Sequence, residues 1–373
     1  MAGIYIHIPF CKQACHYCNF HFATSLRHKN ELVAALLKEM ELQREYFGKE
    51  MVETIYFGGG TPSLLQIADL RLQIDSIRSG FTVSPGAEVT LETNPDDISD
   101  EKLVGWKEIG INRLSIGVQS FFEEDLRWMN RAHNAEQAVN NLQLARQYFD
   151  NITIDLIYGS PGLTNEKWKQ NVDTAISFNI PHLSCYALTV EPKTPLQKMI
   201  RQGKADDVNP DKQSEQFLLL MQWMEEAGYE HYEISNFAKP GLRSRHNSSY
   251  WQGKKYLGIG PSAHSFDGNT RQWNIAHNTM YIEAVNKGVI PYEKEILTAI
   301  QKTNEYIMTS LRTSEGLNMN RIEENIKAKV IEGLKKYTGS KLLLQQGDFF
   351  VLTKEGKLLA DGIAADLFIT GSS

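Results

Sequence analysis

Cysteine is scarce in this chain, with 4 in 373 residues, which excludes a scaffold stapled by disulfides of the kind small secreted domains rely on. Long apolar runs are missing too. None approaches the ~18–20 residues that cross a bilayer, so no stable membrane insertion is expected. The sequence passes from Met1 straight into a strand-like stretch over 3–8, with no basic leader or cleavage site, and a cytoplasmic location is the expectation. Basic residues do not outnumber acidic ones: 39 Lys and Arg face 45 Asp and Glu, for a net charge of -6. That balance removes the electrostatic footprint of a nucleic-acid partner. Internal repeats and low-complexity tracts are also lacking. What is there, 42% hydrophobic and 23% charged residues, is the composition of an ordinary globular protein. The length suits one large α/β unit and an appendage.

The first half alternates short β-branched runs with amphipathic helical patterns, the signature of repeated βα units around a parallel sheet. Strands are predicted over 3–8, 52–57, 87–93, 111–117, 151–157 and 182–188. Between the first two, Leu32, Val33, Leu36, Leu37 and Met40 recur at helical spacing. Residues that carry chemistry fall at the C-terminal ends of nearly every strand, which favours an incomplete (β/α)6 barrel over an open sheet. Three units are expected: the partial barrel over 1–190, a barrel extension over 191–290, and a small α+β domain over 291–373 that resembles a winged helix. The extension holds a helix over 213–228 and is otherwise ordered loops and short strands. In the last unit, helical patterns at 298–312 and 320–337 precede a hairpin over 342–352.

Three of the four cysteines, Cys11, Cys15 and Cys18, lie within eight residues as C-x3-C-x2-C. In a reducing compartment such a cluster holds metal more readily than it forms a disulfide. Three thiolates on one loop can each reach a different iron of a [4Fe–4S] cubane, leaving one iron open to a small chelating ligand. A Cys3His zinc site completed by His16 or His21 is the alternative. Tyr17, Phe20 and Phe22 are placed to shield a cluster from water, and Cys185, in an apolar stretch, behaves as a small buried hydrophobe.

The cysteine loop follows the first strand, and Tyr56-Phe-Gly-Gly-Gly-Thr-Pro62 closes the second. Together they resemble the radical S-adenosylmethionine (SAM) family. The resemblance implies that the open iron binds the amino and carboxylate groups of SAM, whose sulfonium is cleaved by an electron from the cluster. Glycines let the backbone approach such a ligand closely. Further motifs in order, Tyr5-Ile-His-Ile-Pro-Phe-Cys11, Glu92-Thr-Asn-Pro95, Ser115-Ile-Gly-Val-Gln-Ser120, Asn130-Arg131, Ile154-Asp-Leu-Ile-Tyr-Gly159 and Tyr186-Ala187, resemble oxygen-independent coproporphyrinogen III oxidase and its relatives. By position, the likeness assigns SAM contacts to Tyr5, Gly59, Gly60, Thr61, Glu92, Gln119, Arg131, Asp155 and Ala187.

Two departures point away from the oxidase itself. Phe20 stands where its pattern has a further cysteine, and the first strand begins at about residue 3 without the oxidase's N-terminal extension. These features resemble the heme chaperone subgroup, which keeps the cluster and SAM site and delivers heme to acceptor proteins, so coproporphyrinogen dehydrogenase activity is not expected. The run Arg243-Ser-Arg-His-Asn-Ser-Ser-Tyr-Trp251 resembles that subgroup's H-N-x-x-Y-W signature. It makes His246, Asn247, Tyr250 and Trp251 candidate heme contacts, with Arg243 or Arg245 for the propionates and His264 as a second ligand. The resemblance also implies a reduced flavodoxin or ferredoxin as electron donor.

Overall fold

A computed structural model describes residues 2–370. Six strands, β1 (Ala2–Ile8), β2 (Val52–Gly59), β3 (Val83–Thr93), β4 (Arg113–Gln119), β5 (Ile152–Tyr158) and β6 (His182–Ala187), pair in sequence order, each parallel to the next. Each is followed by at least one helix on the outside, the right-handed βα repeat that the apolar runs predict. Every residue of β4 is buried, as expected of a parallel strand covered on both faces. The helix Lys29–Leu42 buries Leu32, Val33, Leu36 and Met40 of the face read from the sequence, and Leu37, at its edge, is partly buried. Ser99, Asn134 and Thr164 cap three of the outer helices, Asn134 in a reciprocal capping box with Gln137.

The sheet continues past both ends of this six-stranded core. On one side β8 (Asn236–Ala238) adds antiparallel to β6, and β7 (Glu230–Glu233) antiparallel to β8. On the other, β9 (Lys255–Ile259) lies parallel to β1, and β10 (His264–Phe266), β11 (Thr270–Asn274) and β12 (Tyr292–Ile296) complete a 12-stranded sheet. The predicted extension over 191–290 is thus divided between the two edges. The boundary expected at 291 moves to beyond Ile296, because β12 pairs with β11 and belongs to the main sheet. Two of the predicted strands also shift: β3 begins at Val83, and β4 runs from Arg113 to Gln119.

The C-terminal unit has its own core of Ile307, Leu311, Leu317, Val330, Leu334, Leu343, Phe350 and Ile363. Helices Ala299–Leu311 and Glu324–Gly339 pack with β13 (Leu317–Asn318), β14 (Leu343–Gln346) and β15 (Phe349–Leu352), β15 lying between the other two. Helix, strand, helix and hairpin in this order make the winged-helix-like unit that was expected. Among the described residues no helix is long and apolar enough to cross a membrane.

A buried carboxylate ties the sheet extension to the first helix. Glu39 accepts from the Tyr281 hydroxyl, from Gly260 N (2.8 Å) and from Asn274 Nδ2 (2.7 Å). Burial pushes its pKa up to about 7 against these donors, which pull it down. A carboxyl whose folded pKa lies above its unfolded value stabilises the fold fully below about 4.5 and loses that contribution as pH rises through about 7. Glu39→Gln should therefore flatten the fall in unfolding midpoint between pH 5 and pH 8. Denaturant titrations of both chains at the two pH values measure this.

Candidate functional site

The C-terminal ends of β1 to β5 surround a cavity that brings together Cys11, Cys15, Cys18, Gly59, Gly60, Thr61, Glu92, Gln119, Arg131 and Asp155. The cysteine loop leaves β1 and is held in shape by distant backbone. Cys11 N donates to Ala23 O (3.1 Å) and His16 N to Met129 O (3.1 Å). Asn130, in a left-handed conformation with φ 57°, donates through Nδ2 to Ala14 O (2.7 Å) and receives Gln13 Nε2 at 2.6 Å. Lys12 pairs with Asp96 at 2.6 Å and Asp97 at 2.5 Å in the turn after β3. That pair is partly exposed and contributes at most about 1 kcal/mol, so the backbone bonds fix the loop more firmly.

The glycine run earns its place sterically. A Cβ on Gly60 would meet Phe10 O at 2.5 Å, and one on Gly59, at φ +108°, would meet the His7 ring at 2.6 Å. Without side chains these two residues let the cysteine loop and β2 approach each other beside the cavity. Gln119 ends β4 at φ 67°, a left-handed conformation that costs a non-glycine residue on the order of 1 kcal/mol, and its side chain lines the cavity.

Two carboxylates face this space. Glu92 accepts from the Tyr56 hydroxyl (2.8 Å) and from Gly59 N (3.1 Å), and its withdrawal from bulk water pushes its pKa up to about 7. Asp155 is raised to about 6, again chiefly by desolvation, with Ser184 and two arginines pulling the other way. Burial lifts the Cys11 thiol to about 11 and raises Cys18. Arg131 is the buried cation of the site, donating to Asn94 Oδ1 (2.7 Å), Gly117 O (2.7 Å) and Cys15 Sγ (3.4 Å), while Lys12 lines the cavity from its pairs with Asp96 and Asp97.

Three thiols on one wall, backed by hydrogen-bond donors and facing a cleft, fit a cubane cluster in which each holds its own iron. Among the described residues no three His, Cys, Asp or Glu side chains converge on a point as ligands of a single ion would. Each histidine of the zinc alternative has one ring nitrogen bonded, His16 Nδ1 to Trp128 O (2.8 Å) and His21 Nε2 to Asn278 Oδ1 (2.7 Å). Tyr17, Phe20 and Phe22 all line the cavity, but Phe20 is 67% exposed at its rim, so it shields less than expected. Cys185 is buried away from the loop, in β6, as anticipated.

Tyr5 and Ala187 lie outside the cavity lining. The Tyr5 hydroxyl meets His7 Nδ1 at 3.1 Å, and its ring stacks on Tyr56 at 6.0 Å. Asn94 and Asn130 were not singled out as site residues, although both stand inside quoted motifs. The Asn94 amide lines the cavity and the Asn130 amide holds the cysteine loop, through bonds that no spacing rule forecasts.

The H-N-x-x-Y-W run is at the other end of the barrel. It was expected in a loop, but it forms the helix Arg245–Trp251, because Ser244 caps Asn247 N and the Glu88 carboxylate accepts from Arg245 N (3.2 Å) and His246 N (3.0 Å). His246 sits against the N-terminal parts of β1 and β2, beside Gly3, and is 1% exposed. Its Nδ1 meets Thr54 Oγ1 at 2.8 Å and its Nε2 meets the Tyr250 hydroxyl at 2.9 Å, so as placed the ring has no free nitrogen for iron. Arg243 is paired with Glu230 and Glu315, and Arg245 donates to Gly86 O (2.7 Å). Asn247 N bonds the cap, and His264 is exposed, stacking on Trp273 at 6.2 Å. Tyr250 and Trp251 instead line a second cavity, between the sheet extension and the helix Ala299–Leu311, with Tyr256, Phe266, Lys302, Tyr306, Met308 and Arg321.

A thiol triad at the mouth of a parallel barrel, opposite a glycine turn, is the arrangement of one class of proteins, and residues 5–175 match the model of the Radical SAM superfamily. The heme chaperone HemW of Bacillus subtilis is 35% identical over 97% of this chain and 98% of that protein. HemW of Mycobacterium tuberculosis strain H37Rv is 33% identical over 98% and 94%. The chain belongs to the HemW family of radical SAM proteins. Its fold is also that of coproporphyrinogen III oxidase (HemN) from Escherichia coli, with a TM-score of 0.85 and 24% identity over 98% of this chain and 90% of that one.

Proposed function

We propose that this protein is a heme chaperone. It would hold a [4Fe–4S] cluster and SAM at the C-terminal mouth of the barrel and carry heme, for transfer to acceptor proteins, in the cavity beside Trp251. Identity of 35% and 33% to two proteins named heme chaperones, over 97% and 98% of this chain, carries the reading. Cys11, Cys15 and Cys18 would each hold an iron. When bound, the cluster supplies the electron that cleaves the sulfonium of SAM. Gly59 and Gly60 let the backbone of β2 lie close to the ligand, Glu92 and Asp155 offer acceptors to its amino and ribose groups, and Arg131 offers a donor to its carboxylate.

The second cavity supports the cargo. A porphyrin is a flat apolar dianion, and this space offers the faces of Trp251, Tyr250 and Tyr306 and the cations of Lys302 and Arg321. Arg321 lies 4.1 Å from the Tyr306 ring, and among the described residues it has no carboxylate partner. Met308 lines the same space and is a candidate axial ligand.

Anaerobically reconstituted protein, titrated with heme beside a coproporphyrinogen III assay with SAM and a strong reductant, tests the proposal. About one heme bound per chain and no porphyrinogen consumed is the expected result, Phe20 standing where the oxidase pattern has cysteine. Robust formation of protoporphyrinogen would overturn the chaperone reading and leave the SAM site intact.

A further inference from the structure

Each thiol of the cysteine loop has a hydrogen-bond donor of its own. Thr61 Oγ1 donates to Cys11 Sγ at 3.7 Å, Arg131 Nη1 to Cys15 Sγ at 3.4 Å, and the Phe20 backbone N–H to Cys18. The two side-chain donors come from different loops, one just after β2 and one after the helix Glu123–Trp128, yet one residue links them. Asn94, just past β3, accepts Arg131 Nη2 on Oδ1 at 2.7 Å and donates Nδ2 to Thr61 Oγ1 at 3.2 Å. Arginine only donates, so the amide oxygen must face Arg131 and the amide nitrogen must face Thr61. The Thr61 oxygen accepts from that nitrogen, which cannot take its proton, and the hydroxyl gives the proton to Cys11 Sγ. The amide therefore orients both donors at once.

We propose that Asn94 is a positioning residue that sets the reduction potential of the cluster by holding Thr61 and Arg131 as donors to the Cys11 and Cys15 sulfurs. This rests on the cluster reading above. Donors and a fixed cation beside thiolate sulfurs favour the reduced, more negative state of a cluster, so they raise its potential. Removing the amide frees the Thr61 hydroxyl to rotate and unties one arm of Arg131, and both changes lower the potential. Aspartate would be a poor test, since it adds a charge of its own.

The experiment is a redox titration followed by electron paramagnetic resonance, on full-length chains reconstituted without SAM so that lost SAM contacts do not enter. Iron and sulfide are counted first. An unaltered chain that assembles no [4Fe–4S] cluster overturns the cluster reading itself, and the proposal with it. With full clusters, Asn94→Ala should lower the reduced-to-oxidised ratio about tenfold at a fixed potential, equivalent to about 59 mV for a one-electron couple. Thr61→Val should lower it less. The double variant should fall short of the sum, because Asn94 acts partly through Thr61. If Asn94→Ala assembles incompletely, Asn94→Ser replaces it in the same cycle. An unchanged midpoint in the Asn94 variant, or strict additivity with Thr61→Val, overturns the proposal while leaving the cluster reading intact.

Discussion

Replacing Cys11, Cys15 or Cys18 singly by alanine should leave the chain without a stable [4Fe–4S] cluster, whereas Cys185→Ala should reconstitute fully. The three loop thiols line one cavity, while the fourth is buried in β6. A cubane held by three protein thiolates has no spare ligand, so losing one leaves an iron without an anchor. Burial raises the Cys11 and Cys18 thiols above their ordinary range, so uncoordinated thiolates are costly and the bound metal must favour deprotonation. Iron content per chain and the visible absorption of the cluster read the result. Retention of four irons by any of the three variants would mean that another side chain supplies a ligand. Uptake of a single zinc and no iron by the unaltered chain would remove the cluster altogether.

The cluster half of the molecule was legible because its information is local. Cysteine spacing, the glycine run and the polar residues ending each strand are written within a few positions of one another, and a parallel sheet in sequence order gathers them at one mouth. What stayed hidden depends on pairings between distant segments. The edge strand β12 carries Tyr292-Glu-Lys-Glu-Ile296, mostly exposed and without a buried alternation, so only its pairing with β11 reveals it as part of the main sheet. The Arg245–Trp251 helix was equally hard to foresee. Its start is fixed by Glu88, a residue of β3 far away in the chain, and seven residues are too few for a periodic apolar face to show. His246 illustrates the same limit: an imidazole beside Tyr and Trp reads alike as a ligand or as a core group until Thr54 and Tyr250 are seen to occupy both nitrogens.

That placement sharpens the second large effect. Trp251→Ala should weaken heme binding roughly 10- to 100-fold, since the lost indole removes stacking area worth ~1.5–3 kcal/mol from the cavity it lines. Arg321→Ala should weaken binding further in the double variant, by removing the cation nearest the Tyr306 face. His246→Gln should leave the Soret band where it is. The imidazole is enclosed between Thr54 and Tyr250, and an iron ligand there would have to break one of two good hydrogen bonds inside the barrel floor. Met308→Leu should shift the band by removing the thioether offered to iron in that cavity. Absorption titrations with hemin on the four chains decide among these outcomes. Cluster content should stay constant throughout, because the Arg245–Trp251 helix packs at the opposite end of the strands from the cysteine loop. A Soret shift in His246→Gln, with Trp251→Ala binding heme at full strength, would move the heme from the cavity beside Trp251 into the barrel floor.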